Sequence, residues 1–172
     1  MTFYDPSTLP WIGEIADNYK SIRAEFELLQ DEVLMEMDSD DIYDSGWDVF
    51  GLHYRGTAML DNCDVCPITT SLIRGIPGML SAGFDILRPE TAISEPECAT
   101  NEYRLSLGLI VPTGTAIVVD GIISPWIEGG VMVWDRSLDS EAINSSPKIT
   151  RVSLVVDFKT GKNLVPLSPL PL

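Results

Sequence analysis

The sequence predicts a mainly β domain, a sandwich or barrel, behind an N-terminal helical cap. Three observations predict it. Apolar residues recur at helical spacing near the start of the chain, at Ile22, Phe26, Leu29, Val33 and Leu34. Beyond Trp47 the chain breaks into short β-rich segments separated by turn residues. With 172 residues, 45% of them hydrophobic, there is apolar side chain enough for one core.

The elements follow in order. Asp5-Pro6-Ser7 opens a short capping region, and Ile15 to Met37 reads as an amphipathic helix with room for a shorter helix before it. Met37 to Ser45 carries Asp38, Asp40, Asp41 and Asp44, whose mutual repulsion predicts a solvated loop, and it lacks the glycine and closing glutamate of an EF-hand. Strands are expected at Trp47–Arg55, Gly83–Leu87, Tyr103–Val111, Ala116–Val119, Gly130–Trp134 and Arg151–Asp157, with a short helix over Pro67–Ile76 ended by Gly75 and Pro77. The proline-rich tail after Lys159 has no periodicity and is expected to be extended or docked as a strap. The organisation is thus one domain over 1–172: a cap and acidic loop (1–45), a β core (46–158) and a tail (159–172).

Charge narrows the function. Asp and Glu number 26 against 11 Lys and Arg, and the net charge of −15 opposes approach to a polyanion, so nucleic acid and anionic membrane surfaces are not expected partners. No apolar run reaches the length of a membrane span. Three cysteines and an N-terminus without a secretory pattern predict a reducing, cytoplasmic setting. Cys63-x-x-Cys66 has no second pair, and the single histidine, His53, cannot complete a zinc site, so both are read as ordinary thiols. The expected partner is a small molecule, and a homodimer is compatible with the sequence.

A longer-range pattern adds to this. Phe3-Tyr-Asp-Pro-Ser-Thr-Leu-Pro-Trp11, Asn18-Tyr-Lys-Ser-Ile-Arg-Ala-Glu-Phe26, Gly46-Trp47-Asp-Val-Phe50, Cys66-Pro67 before Leu72, and Leu87-Arg-Pro89-Glu-Thr91 come first. Arg104-Leu-Ser-Leu-Gly108-Leu-Ile-Val-Pro112, Trp126-Ile-Glu-Gly129, Asp135-Arg-Ser137-Leu-Asp-Ser-Glu141-Ala-Ile-Asn144 and Arg151-Val-Ser-Leu-Val-Val-Asp157 follow. In this order they resemble the aspartyl/asparaginyl β-hydroxylases, a family that includes the lipid A hydroxylases. The resemblance covers nearly the whole chain. It implies a double-stranded β-helix, a cupin-like jelly roll, holding iron and 2-oxoglutarate in its mouth.

The resemblance also locates departures. The family's first iron-ligand histidine falls on Pro96, or on Glu97 after a one-residue slip, and the second falls on Ser140, so both imidazoles are absent. Two arginines of the family's 2-oxoglutarate pocket resemble Arg104 and Arg151. Strand alternation sends Arg104, Ser106 and Gly108 to one face, and likewise Arg151, Ser153 and Val155. Arginine's rigid fork suits a carboxylate. Ser106 replaces a family histidine and Asp85 a pocket serine, which leaves an internal salt bridge of the arginines with Asp85 as the structural alternative. A family arginine for a peptide substrate falls near Glu102 or Tyr103, so a peptidyl-aspartate substrate is not expected. His53 shares the parity of Trp47, whose family counterpart lines the pocket, and imidazole suits proton transfer near neutral pH.

Three functional readings follow. The favoured expectation is a metal-independent isomerase or cyclase in a biosynthetic pathway, using neither iron nor 2-oxoglutarate. In it His53, Glu97 and Asp85 do the acid–base work, and Arg104, Arg151, Trp47, Ser106, Ser153 and Trp134 hold a small, carboxylate-bearing substrate. The second is an iron/2-oxoglutarate hydroxylase with an atypical metal site, in which Glu97, Asp139 and Glu141 could gather around a hard cation. The third is a non-catalytic relative that binds a ligand or another protein.

Overall fold

A computed structural model describes residues 2–37, 46–95 and 101–167. Two helices, α1 (Pro10–Asp17) and α2 (Tyr19–Met37), open the chain and break at Asn18, so the helix expected from Ile15 onward is two. Pro10 starts α1, where its missing N–H leaves no intrahelical bond unmade. The expected acidic loop lies outside the described residues.

Strands β1 (Trp47–Tyr54) and β2 (Thr57–Ala58), helices α3 (Leu60–Val65) and α4 (Pro67–Arg74), and strands β3 (Met79–Leu87), β4 (Thr91–Glu95) and β5 (Tyr103–Ile110) come next. Then follow β6 (Thr115–Val119), β7 (Ile122–Pro125), β8 (Val131–Asp135), β9 (Ser140–Asn144) and β10 (Arg151–Phe158). They build a larger sheet in the order β2-β1-β3-β10-β5-β8 and a smaller one in the order β4-β9-β6-β7, all pairings antiparallel. This is the jelly-roll architecture the sequence predicts. Strands β2, β4, β7 and β9 and helix α3 escape the sequence reading. They are short, and β9 (Ser-Glu-Ala-Ile-Asn) carries polar residues where a strand pattern would want apolar ones.

Alternation divides the larger sheet into an apolar face and a polar one. Phe50, Leu52, Phe84, Ile86, Leu105, Leu107, Leu154 and Val156 form one core with Ile12, Ile15, Ile22, Phe26 and Ile73 of the helices. Phe84 sits at its centre, edge-on to Phe26 at 5.3 Å and stacked on Phe50 at 6.2 Å. A second core, with Leu87, Ile93, Ile117, Val119, Trp126, Trp134 and Ala142, joins the two sheets. Asn144 fastens them as well: its buried amide donates to the carbonyls of Leu87 and Ile149, both at 2.9 Å.

Helix α4 is capped from outside its own segment. Its N-cap residue, Cys66, supplies no side-chain hydrogen bond. The buried carboxylate of Glu25, from α2, instead accepts from the backbone N–H of Ile68 (2.7 Å) and Thr69 (2.8 Å) and from the Thr69 hydroxyl (2.6 Å). Glu25→Ala leaves two helix-end donors unmet in the interior and is expected to cost about 3 kcal/mol. Denaturant unfolding checks this through a lower midpoint at unchanged slope.

The neighbouring cysteines are free and buried. The Cys63 thiol donates to the Leu52 carbonyl at 3.2 Å, and burial, with the Glu25 charge adding to it, pushes the Cys66 thiol up to about 12. Cys66 is therefore no ready thiolate. At the other end of the chain, the tail lies along the N-terminal segment: Asp5 N–H donates to Val165 O at 2.7 Å and Leu167 N–H to Phe3 O at 2.8 Å, with Leu164 buried. Among the described residues no helix is long and apolar enough to cross a membrane.

Candidate active site

The polar face of the larger sheet lines a cavity of ≈450 Å³ whose wall includes Trp47, His53, Asp85, Arg104, Arg136 and Asp157. Their positions follow from register. Asp85 of β3 pairs with Val49 of β1 on one side and Ser153 of β10 on the other, and Arg104 of β5 pairs with Asp157 of β10. Same-face neighbours in a sheet meet.

Arg104 is committed to the protein. Its Nε and Nη2 fork the Asp157 carboxylate at 2.7 and 2.9 Å, and its Nη1 donates to Glu95. Asp157 also accepts from Arg136 Nη1 at 2.9 Å. Farther out, Glu102 is forked by Arg55 at 2.8 and 3.1 Å, and those hydrogen bonds hold its carboxyl below the ordinary range. Burial works against the Arg104 charge, but Glu95 and Asp157 outweigh it and keep the guanidinium protonated. Burial and the nearby Asp85 push the Glu95 carboxyl upward, against the pull of Arg104.

Arg151 is arranged differently. It is 0% exposed, and its Nη2 donates to Asp85, whose other oxygen accepts from the Trp47 indole. Its Cζ lies 4.7 Å from the Trp126 ring centre, a stacked cation–π contact. Trp126 reaches this place because β5 has glycine at 108: a Cβ there would lie 2.6 Å from Ile127 O and 3.1 Å from Trp126 Nε1. The Arg151 Nε, the Ser153 hydroxyl and the indole nitrogens of Trp126 and Trp134 are buried with no hydrogen-bond partner among the described residues. Unmet polar atoms at such depth cost stability unless a ligand or water meets them.

The residues singled out from sequence are thus partly brought together. Asp85, Trp47, Arg151 and Ser153 form one group, and Arg104 forms another with Glu95 and Asp157. Ser106 is buried beside Arg104 on the same face, and Trp134 pairs with Arg104 across β5 and β8. The expected internal salt bridge with Asp85 forms to Arg151; Arg104 finds other acids. His53 lines the cavity, and among the described residues its ring makes a long 3.4 Å contact to Leu80 O. It lies four residues along β1 from Val49, the partner of Asp85, which is roughly 13 Å of strand, so the two do not form an acid–base pair. Asp139 is exposed and Glu141 half-buried. Glu97 and Pro96 lie outside the described residues.

Ser140, at the second ligand position, pairs with Glu95 across β4 and β9. Glu95, Asp157, Arg136 and Trp126 are the site residues that sequence reasoning missed. Asp157 was within reach, since it shares the parity of Arg151 and Ser153 on one strand.

The donors present fit an organic carboxylate, because the unmet Arg151 Nε, Ser153 hydroxyl and Trp126 indole all donate to oxyanions. For a divalent metal, Glu95 and Ser140 offer facing oxygen donors. These suit a hard, loosely held ion more than a tight imidazole site. Among the described residues no group of three or more His, Cys, Asp or Glu is placed to hold a metal ion.

The profile of the Aspartyl/Asparaginyl beta-hydroxylase family matches residues 16–160. An ornithine lipid ester-linked acyl 2-hydroxylase of Rhizobium tropici is 38% identical, over 90% of this chain and 59% of its own length. The human aspartate beta-hydroxylase domain-containing protein 1 is 34% identical over 62% of this chain and 30% of its own length. The chain therefore spans less than two thirds of these relatives. The fold is shared with an oxidoreductase of the 2OG-Fe(II) oxygenase family from Burkholderia pseudomallei, with a TM-score of 0.54 at 14% identity over 80% of this chain and 77% of that one.

These findings overturn the favoured expectation. A metal-independent isomerase or cyclase, with neither iron nor 2-oxoglutarate, has no support among relatives that are named as hydroxylases, and the protein from Burkholderia pseudomallei that shares the fold is named a 2OG-Fe(II) oxygenase. The expectation leaned on two lost imidazoles. Exchanging nitrogen donors for oxygen donors alters metal affinity, but it leaves Arg151 on its strand with an unmet Nε among the described residues. The chain belongs to the aspartyl/asparaginyl β-hydroxylase family.

Proposed function

We propose that this protein is a hydroxylase that uses iron and 2-oxoglutarate, with an atypical metal site and with the diacid seated at Arg151. The observation that carries the reading is the set of unmet donors around Arg151, on the strand where family members hold that acid. When bound, iron(II) would let dioxygen oxidise 2-oxoglutarate and substrate together, one oxygen atom entering succinate as carbon dioxide leaves and the other entering the substrate as hydroxyl.

The chain's own part is positioning. Arg151 offers one carboxylate of the acid the open Nε side of its fork, Ser153 adds a hydroxyl, and Trp126 covers the guanidinium and shields it from water. Arg104 acts through others: by pinning Glu95 and Asp157 it fixes the wall of the cavity. Glu95 and Ser140 are the residues that would face the metal. With oxygen donors alone, metal is expected to be lost on desalting, so activity should require iron(II) in the assay.

The test is succinate release in air with added iron(II), ascorbate and 2-oxoglutarate. Acyl lipids are offered as the first substrate class, because a relative of 38% identity is an acyl 2-hydroxylase. Succinate formation that depends on both iron and 2-oxoglutarate supports the reading. Its absence at saturating concentrations of both overturns it.

A further inference from the structure

Asp85 lines the cavity and is bonded to Arg151, which is 0% exposed. The cavity wall includes Asp85 and Trp47, whereas Arg151, Ser153 and Trp126 are not among its lining residues. Asp85 is held in that position from two sides, by Arg151 Nη2 and by the Trp47 indole.

The geometry of the fork makes this consequential. A carboxylate binds guanidinium best across Nε and Nη2 together, as Asp157 does on Arg104 at 2.7 and 2.9 Å. On Arg151 the same edge is half used. Asp85 takes Nη2 and leaves Nε with no partner among the described residues. An incoming carboxylate cannot take the whole edge while Asp85 remains.

We propose that Asp85 is an internal competitor for the Arg151 seat, a built-in carboxylate that must release Nη2 before an organic acid can bind there. This rests on the seat assigned above and goes beyond it, making Asp85 the residue that sets the affinity and selectivity of the pocket. A monocarboxylate gains only what Asp85 already provides. A diacid with a second anchoring group gains more, so the competitor discriminates in favour of acids carrying two carboxylates.

The competitor also lowers affinity for the right acid. An apparent dissociation constant rises by the inverse of the fraction of molecules in which the seat is open. Removing Asp85 opens it permanently.

The test is titration of the parent, Asp85→Ser, Arg151→Gln and the double variant Asp85→Ser/Arg151→Gln with 2-oxoglutarate and, separately, with acetate. Binding is followed by calorimetry and by the fluorescence of the adjacent tryptophans. Asp85→Ser is expected to bind 2-oxoglutarate at least about 10-fold more tightly than the parent and to bind acetate measurably, with both gains abolished in the double variant. Melting temperature gives a second readout: Asp85→Ser, with a buried guanidinium uncompensated, should melt lower and be rescued by added acetate far more than the parent. Where serine prevents folding, Asp85→Asn keeps the shape and the acceptor for Trp47 and serves the same comparison. Equal affinity in the parent and the Asp85 variants, with binding lost in Arg151→Gln, overturns the competitor and leaves the seat standing. Unchanged binding in Arg151→Gln overturns the seat and the competitor together.

Discussion

Replacing Arg104 with methionine is expected to destabilise the fold by about 3–5 kcal/mol, because it strands the buried Glu95 carboxylate and takes the fork from Asp157. The loss comes from acids left behind rather than from an attraction forgone. Glu95→Gln in the same chain should therefore recover a large part of it, and Asp157, still held by Arg136 at 2.9 Å, should need no repair. Denaturant unfolding of the parent, the two single variants and the double variant gives the coupling directly. Additive losses would show that Arg104 and Glu95 do not act as a pair.

The second large effect is at Arg151. Arg151→Gln should lower affinity for 2-oxoglutarate about 10- to 150-fold, the value of one charge-assisted hydrogen bond of about 1.5–3 kcal/mol, and should also destabilise the fold by stranding Asp85. Arg151→Lys separates the two. An ammonium restores the charge beside Asp85 and much of the stability, but it lacks the fork and should not restore binding. If lysine restored affinity, the seat would be a simple positive charge. If neither variant changed affinity, the acid would bind elsewhere.

The two arginines looked alike in the sequence, and here the limits of sequence reading are clearest. Period-two alternation was enough to put Arg104, Ser106, Arg151 and Ser153 on the inner face, and helical spacing at Ile22, Phe26 and Leu29 was enough for α2. What alternation cannot give is which acid meets which arginine. That depends on β4 lying against β9, and both strands are too short and polar to be read beforehand. Glu95 was therefore overlooked. Trp126 was visible only as part of a motif. Its place over Arg151 comes from the close approach of the chain at Gly108, a contact no local pattern encodes.

The chemistry was misjudged for a different reason. Two missing imidazoles weighed more in the sequence than the resemblance running through the core. Yet Glu95 pairs with Ser140 across β4 and β9, and the donors around Arg151 have no partner among the described residues. His53 invited an acid–base role by its parity and by the suitability of imidazole for proton transfer near neutral pH. It lines the cavity, four residues along β1 from the partner of Asp85.

The most direct test of the account is a crystal structure of the chain soaked with saturating 2-oxoglutarate. The account predicts one carboxylate of the acid on Arg151, bridging Nε and Nη2 and within hydrogen-bond distance of the Ser153 hydroxyl, with Asp85 withdrawn toward Trp47. Acid density elsewhere in the cavity, with Asp85 still on Arg151 Nη2, would contradict it.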